Sequence, residues 1–284
     1  MKNQNEVFAQ VELITPEIAK EYLKFNKVNR RLTNNVVEYY AIQMASKKWK
    51  LNGEPIIFLK NGALGNGQHR LNAIIKSGCS IQMLVVRGAD NDSFTTYDSG
   101  KNRSIADIFS ISGIENYSKV SSIVNRYFIL RDTKRSIFDR ANGLKLLRFN
   151  NHTIHTKDEL LIEYNTSPEL YQEVANLART WNYRLKSYST AALGAICIYL
   201  IKSRKHNKEL VFSFFNQLFI GDDFSNHTIF LLRQRLIQDL NNRDRMTNRY
   251  KEQILVKAWN CFITGKELKS LRWSETQDGF LDFI

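Results

Sequence analysis

Residues 65–74, GNGQHRLNAI, place two glycines, an amide, an imidazole and a guanidinium directly before an apolar helical pattern. Glycines let the backbone approach a ligand closely, and the first N–H groups of a helix have no intrahelical acceptor. With the positive end of the helix dipole, such groups form a binding site for phosphate or another anion. We therefore take Gly67, Gln68, His69 and Arg70 as candidate phosphate ligands. The alternative is an ordinary strand-to-helix turn, in which His69 and Arg70 are caps or surface charges.

Phosphoryl transfer or hydrolysis at such a site requires a carboxylate, which orients the nucleophile or holds Mg²⁺. Glu38, Glu54 and Asp98 are available, and we name Glu54 and Asp98 as candidate catalytic residues. Glu54 directly precedes a predicted strand, and Asp98 lies in a predicted turn. Each also has a simpler interpretation as a solvated charge or a turn former. No metal site is predicted, because His152 and His155 have no cysteine near them.

The elements that position these residues change from mixed to helical along the chain. Before residue 113 the hydrophobic period switches between helix and strand, whereas the later pattern is helical. In the later part, Thr156 and Glu159 form a predicted capping box, and Gly221 and Gly265 are predicted to end helices. In the first part we predict helices at residues 16–26, 33–48, 68–76, 93–98 and 104–110, strands at 55–59 and 81–86, and a hairpin turn at Asn61-Gly62.

We therefore predict an α+β fold class. A small mixed-sheet domain, residues 1–112, is followed by an all-helical domain, residues 113–284. In this arrangement the turn at residues 65–68 lies at the N-terminus of a helix that packs on a sheet.

Several spaced motifs resemble the ParB/sulfiredoxin-like superfamily, in particular the branch with a D-G-Q-H-R motif found in many phage and mobile-element proteins. Asn66 replaces the aspartate of that motif, and Gly67, Gln68, His69 and Arg70 match the rest; we call residues 66–70 the NGQHR loop. The resemblance continues in an N-R-x-L element at residues 29–32, an M-x-x-x-x-W element at 44–49, residues 86–88, a D-x-G-x-x-R element at 98–103, and a C-terminal region at 257–260, Gly265 and 271–273.

The resemblance implies that the NGQHR loop binds phosphate. Chromosome-partitioning ParB proteins bind CTP with a related loop and clamp DNA, and a free-serine kinase of the superfamily handles nucleotide phosphates with a D-G-H-H-R loop. The implied cofactor is a nucleoside triphosphate, CTP or ATP, either alone or with Mg²⁺. Arg30 and Arg103 are candidates for closing over the phosphates from other elements, and Arg30 is equally consistent with a surface charge.

Two departures from the superfamily pattern bear on the chemistry. Sulfiredoxins hold a reactive cysteine where this chain has Gln68, so the reductase reaction lacks its nucleophile. Cys79 follows the predicted helix and is a poor substitute for that thiolate. Asn66 has no carboxylate, so if the aspartate of the motif binds metal or a proton, this chain binds a nucleotide without turning it over.

The composition favours an anionic partner. The 284 residues include 41 Lys and Arg against 28 Asp and Glu, a net charge of +13, which is typical of nucleic-acid binding, although a merely basic surface is the alternative. Three widely spaced cysteines predict no disulfide framework and fit a reducing cytoplasm. The start of the chain is polar, and the apolar run 191–201 is too short to cross a bilayer, so we expect a cytoplasmic protein with no membrane partner.

The predicted second domain has 26 basic and 18 acidic residues, a net charge of +8. Residues 131–148 and 233–251 each carry a net charge of +4. If both segments lie on one face of the domain, they would bind DNA phosphates. The alternative is that they form solvated helix faces with internal ion pairs. No helix-turn-helix pattern is present, so we predict no reading of base sequence. Large aromatic residues beside apolar neighbours are expected in the core rather than in a base-stacking platform; these are Trp181, Tyr183, Tyr188 and Tyr199.

These observations predict a ParB-like nucleotide-phosphate-binding protein that associates with DNA through a basic helical domain. The alternative is a kinase or nucleotide hydrolase that uses the NGQHR loop for phosphoryl transfer to DNA or to a small hydroxyl compound. The base of the nucleotide and the oligomeric state are left open.

Overall fold

The computed structural model describes residues 6–27, 29, 31–93, 103–133 and 155–284. The chain forms two compact units, of which the first ends at Asn102 and the second begins at Arg103. The predicted boundary lies further along the chain, between residues 112 and 113. The helix at Ile105–Ile111 belongs to the second unit, because Phe109 is fully buried in the helical core of that unit.

The first unit is a four-stranded sheet with three helices. The order along the sheet is β1-β4-β2-β3, with β2 and β4 parallel and the other two pairs antiparallel, so the sheet is mixed. The elements are β1 (Phe8–Ile14), α1 (Pro16–Leu23), α2 (Asn34–Ala45), β2 (Ile56–Leu59), β3 (Leu64–Asn66), α3 (Gln68–Ser77) and β4 (Ile81–Ala89). Together with the helical second unit, this arrangement confirms the predicted α+β class.

The core of the first unit lies between the sheet and its helices. All four residues of β2 are buried, because this strand lies between β4 and β3 within the sheet. The α3 helix contributes Leu71 and Ile74, three positions apart on one face, and both are fully buried. Thr15 caps α1 by accepting a hydrogen bond from the backbone N–H of Ile18 at 3.2 Å, and Pro16 occupies the first turn, as its sequence position predicts.

Strand β1 is an element that the sequence pattern did not predict. It pairs with β4 in one continuous antiparallel register, from Phe8 opposite Arg87 to Ile14 opposite Ile81. Five of its seven residues are exposed at the edge of the sheet, among them Val11 at 51% and Leu13 at 56%. Since an edge strand buries little side-chain area, its sequence lacks the continuous apolar run by which the buried strands were recognised.

Every regular element among the described residues of the second unit is a helix. Its core contains large aromatic side chains, among them the fully buried Trp181, Phe214, Phe215 and Trp259. The apolar run at 191–201 forms a buried helix that continues into a π-helical turn at Tyr199–Ser203. The helices are α4 (Ile105–Ile111), α5 (Tyr117–Thr133), α6 (Lys157–Asn165), α7 (Pro168–Arg184), α8 (Thr190–Ile198), α9 (Lys208–Ile220), α10 (His227–Asn241), α11 (Asn248–Thr264) and α12 (Glu275–Asp278).

Among the helices that the structure describes, none is both long enough and apolar enough to span a membrane.

Candidate functional site

The NGQHR loop joins the end of β3 to the start of α3. Gly67 lies between the two elements with φ +109°, a left-handed conformation that side chains with a Cβ atom disfavour. A Cβ atom at this position would lie 3.0 Å from Cγ1 and 3.2 Å from Cα of Ile56. Both the backbone conformation and the close approach to β2 therefore require glycine here.

Arg70 is 8% exposed and is engaged with the backbone that leads into β2. Its Nη1 donates to the carbonyl oxygen of Glu54 at 2.5 Å, and its Nη2 donates to that of Pro55 at 2.8 Å. These bonds fix the start of β2 against the first turn of α3. The guanidinium therefore has a role in the fold, and its role as a phosphate ligand stays a prediction.

Gln68 is 5% exposed and belongs to a chain of amide side chains. The Nδ2 atom of Asn26 donates to Oε1 of Gln68 at 3.2 Å, and Nδ2 of Asn29 donates to Oδ1 of Asn26 at 2.7 Å. The same Nδ2 of Asn29 also donates to the carbonyl oxygen of Leu64 at 2.6 Å. The amides thus hold the segment after α1 against both β3 and α3.

His69 is partly buried and faces the start of α2. The backbone N–H of Thr33 donates to its Nε2 at 3.1 Å. Since Nε2 is the acceptor, the neutral ring carries its proton on Nδ1. Thr33 makes no side-chain cap of its own, so His69 ties the N-terminus of α2 to the NGQHR loop.

The remaining candidates are described one by one. The side chain of Glu54 is exposed, and it is the carbonyl group of this residue that Arg70 binds. Glu38 forms an ion pair with Lys76 on the surface. Arg103 belongs to the second unit, where its carbonyl oxygen accepts a hydrogen bond from Nζ of Lys157. Arg30 and Asp98 lie outside the described residues.

No group of three or more histidine, cysteine, aspartate and glutamate side chains is arranged to hold a metal ion within the residues that the structure describes.

A cleft of about 1020 Å³ opens in the first unit, beside the C-terminal ends of β2 and β4. We call it the aromatic cleft. The sequence assigns none of its residues to a ligand site, because they come from four separated segments and their aromatic members resemble ordinary core. Its walls are formed by Glu6, Val7, Phe8, Tyr22, Phe25, Phe58, Leu59, Lys60, Gly62, Arg87 and Gly88.

Three rings and one guanidinium define the inner wall of the aromatic cleft. The ring centroids of Tyr22 and Phe58 lie 5.0 Å apart, and those of Phe25 and Phe58 lie 6.1 Å apart, both in edge-to-face geometry. Cζ of Arg87 lies 5.7 Å from the Tyr22 centroid and 5.5 Å from the Phe58 centroid. Phe25 is 47% exposed, so its ring is accessible at the rim.

The charge of Arg87 is balanced by Glu12. Nη2 of Arg87 donates to Oε2 of Glu12 at 3.1 Å and to the Tyr22 hydroxyl at 2.7 Å, and that hydroxyl donates to Glu12 at 2.6 Å. The hydrogen bond from Arg87 is the main cause that lowers the pKa of Glu12 to about 2. Burial, followed by the bond to Glu12, raises the pKa of Tyr22. Near neutral pH the carboxylate is therefore ionised and the phenol protonated.

Lys60 is the second cation of the aromatic cleft. Its Nζ lies 2.6 Å from Oδ1 of Asp90, and the two side chains are 38% and 69% exposed. Such a surface pair contributes at most about 1 kcal/mol, so the ammonium group can exchange this partner for another anion.

The aromatic cleft and the NGQHR loop are connected through two adjacent residues. Phe25 lines the cleft, and its carbonyl oxygen accepts a hydrogen bond from the backbone N–H of Leu64 at 2.9 Å. The next residue, Asn26, holds Gln68. The buried amide of the loop thus supports the wall on which Phe25 lies.

The basic segment at residues 233–251 is largely engaged within the second unit. Arg233 donates to the carbonyl oxygens of Leu218 and Phe219 at 2.6 and 2.8 Å, at the end of α9. Asp239 is fully buried and lies 2.6 Å from Nζ of Lys251. Arg249 pairs with Glu275, and Arg235 donates to the Tyr250 hydroxyl. Bonds within the second unit therefore engage most of the cations of this segment. Of the other basic segment, residues 131–148, the structure describes only the first three residues.

The four aromatic residues expected in the core of the second unit do not all lie there. Trp181, Tyr188 and Tyr199 are buried, as expected, but the expectation is wrong for Tyr183, which is 77% exposed. Tyr183 lies two positions after Trp181 on α7, and two steps of a helix turn the side chain to the opposite face.

Comparison of the chain with protein-family models, with curated proteins and with solved structures finds no match. A functional assignment therefore depends on the residues and contacts described above.

Proposed function

We propose that the first unit binds a nucleotide in the aromatic cleft, and that the chain associates with DNA through its basic helical unit. The observation that carries the proposal is the aromatic cleft, a volume of about 1020 Å³ that combines aromatic walls with Arg87 and Lys60. Small-molecule sites typically have volumes of roughly 300–1,000 Å³, apolar walls and a few polar groups that fix orientation. The aromatic cleft has each of these properties.

The nucleobase packs against the rings of Phe25 and Tyr22, and the phosphates extend towards Lys60. Phe25 supplies an accessible ring, and aromatic rings stack on planar bases of any sequence. Lys60 supplies a mobile ammonium group, because its pair with Asp90 is exposed. Arg87 remains with Glu12 and holds Tyr22 in place through the hydroxyl group.

Within this proposal the NGQHR loop positions the aromatic cleft. Asn26 and Gln68 transmit the geometry of the loop to the adjacent Phe25. The motifs around the loop support assignment of the first unit to the ParB/sulfiredoxin-like superfamily. The N-terminus of α3 is an alternative position for the phosphate group. Measurements that locate the bound nucleotide distinguish this position from the aromatic cleft.

The association with DNA is supported by charge. The chain has a net charge of +13, and a surplus of this sign attracts the phosphate backbone irrespective of base sequence.

Equilibrium binding of fluorescent nucleotides to the full chain tests the nucleotide site. Because Phe25 is 47% exposed, Phe25→Ala leaves the fold intact, and we expect it to raise the Kd by about tenfold, equal to about 1.4 kcal/mol. Leu51→Ala is the matched control, since Leu51 is 51% exposed and lies outside the cleft lining. An unchanged Kd for Phe25→Ala, or no binding by the unaltered chain, contradicts the proposal.

Product detection in the presence of Mg²⁺ separates a binding protein from an enzyme. We expect bound triphosphate to be recovered intact. Release of diphosphate in excess over protein favours the kinase or hydrolase alternative.

A further inference from the structure

Residues 174–208 contain no aspartate or glutamate, and they contain seven lysines and arginines. Three of these cations have carboxylate partners in the second unit: Lys202 pairs with Glu163, Arg204 with Asp282, and Lys208 with Glu173. The other four are Arg179, Arg184, Lys186 and Lys205. This stretch therefore carries positive charge that no ion pair among the described residues neutralises.

Three of these four cations lie within about one helical turn of Tyr183 in the sequence, at the C-terminal end of α7. Tyr183, Thr180, Arg179 and Asn176 follow one another at helical spacing on one face of α7, and all four are exposed. Arg184 is the last residue of the helix, and Lys186 follows one position after the buried Leu185. We call Arg179, Tyr183, Arg184 and Lys186 the α7 patch.

The α7 patch stands on a rigid support. Trp181, on the opposite face of α7, is fully buried, stacks on Phe215 at a centroid distance of 5.0 Å, and donates from Nε1 to Asn216 at 2.8 Å. Asn182 donates to the carbonyl oxygen of Tyr188 at 2.5 Å, which fixes the turn that carries Lys186. A ligand therefore meets side chains whose backbone is already ordered, which lowers the entropy cost of binding.

The cations of the α7 patch differ from most of those in residues 233–251, which have bonded partners within the second unit. Within the part of the chain that the structure describes, Arg179, Arg184 and Lys186 form no ion pair, whereas Arg249 and Lys251 do. An exposed aromatic ring among unneutralised cations combines the two groups that single-stranded nucleic acids require, a stacking surface and phosphate contacts.

We propose that the α7 patch binds single-stranded DNA, with one base stacked on Tyr183 and the neighbouring phosphates on Arg179, Arg184 and Lys186. The inference rests on the proposed association with DNA. It adds which surface of the protein binds the DNA and that the bound DNA is single-stranded. A duplex keeps its base faces stacked inside the helix, so only an unpaired base reaches the ring of Tyr183.

The test measures fluorescence anisotropy of a labelled oligodeoxythymidine of roughly 20 nucleotides, longer than a typical site for single strands, with the full chain. Tyr183→Ala removes the stacking ring, and we expect it to raise the Kd by about tenfold, within the range found for stacked bases. Tyr183→Trp keeps a ring and retains the affinity. Tyr117→Ala is the matched control, because Tyr117 is an exposed tyrosine elsewhere in the second unit, and it leaves the Kd unchanged.

A salt series tests the phosphate contacts. Arg179→Gln should reduce the slope of log affinity against log salt by about 0.7, the value for one phosphate contact with a single strand. Arg272→Gln removes another exposed arginine of the second unit, after α11 and outside both basic segments, and is expected to leave the slope unchanged. Thermal unfolding and nucleotide binding of each variant confirm that the fold is retained.

The outcomes separate the inference from the proposed function. If the unaltered chain binds single-stranded DNA and Tyr183→Ala binds it equally well, the α7 patch is not the site, while the association with DNA stands. If the chain binds duplex DNA more tightly than single-stranded DNA, the proposed preference for single strands is wrong. If it binds RNA of the same sequence more tightly, the assignment to DNA is wrong. If the unaltered chain binds no DNA, the proposed association with DNA fails together with the inference.

Discussion

Asn26 donates a hydrogen bond to Gln68 across 3.2 Å and thereby connects the residue after Phe25 to the first residue of α3. The NGQHR loop and the aromatic cleft are therefore parts of one structure. The buried side chains of the loop support the fold, and the accessible rings and cations lie on the cleft side. This division determines what each substitution is expected to change.

Arg70→Ala is expected to lower the free energy of unfolding by about 2–3 kcal/mol. The substitution leaves the carbonyl groups of Glu54 and Pro55 without their guanidinium donor, and a lost bond to a charged group costs about 1.5–3 kcal/mol. Urea unfolding measures the change. An unfolding curve identical to that of the unaltered chain, with nucleotide binding abolished, would show that Arg70 is a ligand rather than a support.

Gly67→Ala is expected to destabilise the chain by about 3 kcal/mol. Part of the cost, about 1–2 kcal/mol, is the left-handed conformation at φ +109°, and the remainder is the contact of the new Cβ with Ile56. Gly53→Ala is the control, because Gly53 has φ +79° and open space around it. Equal losses in the two variants would mean that the approach to β2 has no energetic role.

Because of Glu12, the stability of the folded chain depends on pH in the acid range. Its pKa is about 2 in the folded chain, below its ordinary value of 4.5, so the stabilisation is complete above pH 4.5 and is lost as pH falls towards 2. In Glu12→Gln we expect a loss of about 1–2 kcal/mol at neutral pH and a shallower decline of stability between pH 4.5 and 2. Thermal unfolding of the unaltered chain and of Glu12→Gln across this pH range measures the difference. Parallel stability profiles for the two proteins would contradict the pairing of Glu12 with Arg87.

Lys60→Gln is expected to weaken binding of a nucleoside triphosphate by about fivefold, equal to about 1 kcal/mol, and to leave binding of the corresponding nucleoside unchanged. The reason is that Lys60 is placed to contact phosphates, whereas the base contacts the rings. Calorimetric titrations of both ligands provide the comparison. An equal effect on both ligands would assign Lys60 to the base or to the fold.

Local signals in the sequence were sufficient for several elements. The capping box of Thr156 and Glu159 starts α6, and Gly78, Gly221 and Gly265 end α3, α9 and α11 in the left-handed conformation. These features depend on residues within one or two turns of each other, so their pattern is visible in the chain.

The site was less accessible to prediction, because its geometry depends on contacts between distant segments. Nothing near Arg70 in the sequence indicates that its guanidinium binds the carbonyl groups before β2. The aromatic cleft joins the edge strand β1, which has no apolar run, to rings on α1 and β2. Tyr183 resembled core because it stands beside Trp181, and only the helical phase places the two on opposite faces.

The location of a bound nucleotide is measured most directly by hydrogen–deuterium exchange of the full chain with and without saturating nucleoside triphosphate. Binding in the aromatic cleft predicts slower amide exchange at residues 58–62 and 86–88. Slower exchange confined to residues 66–70, or no change in either region, would contradict the assignment of the aromatic cleft as the nucleotide site.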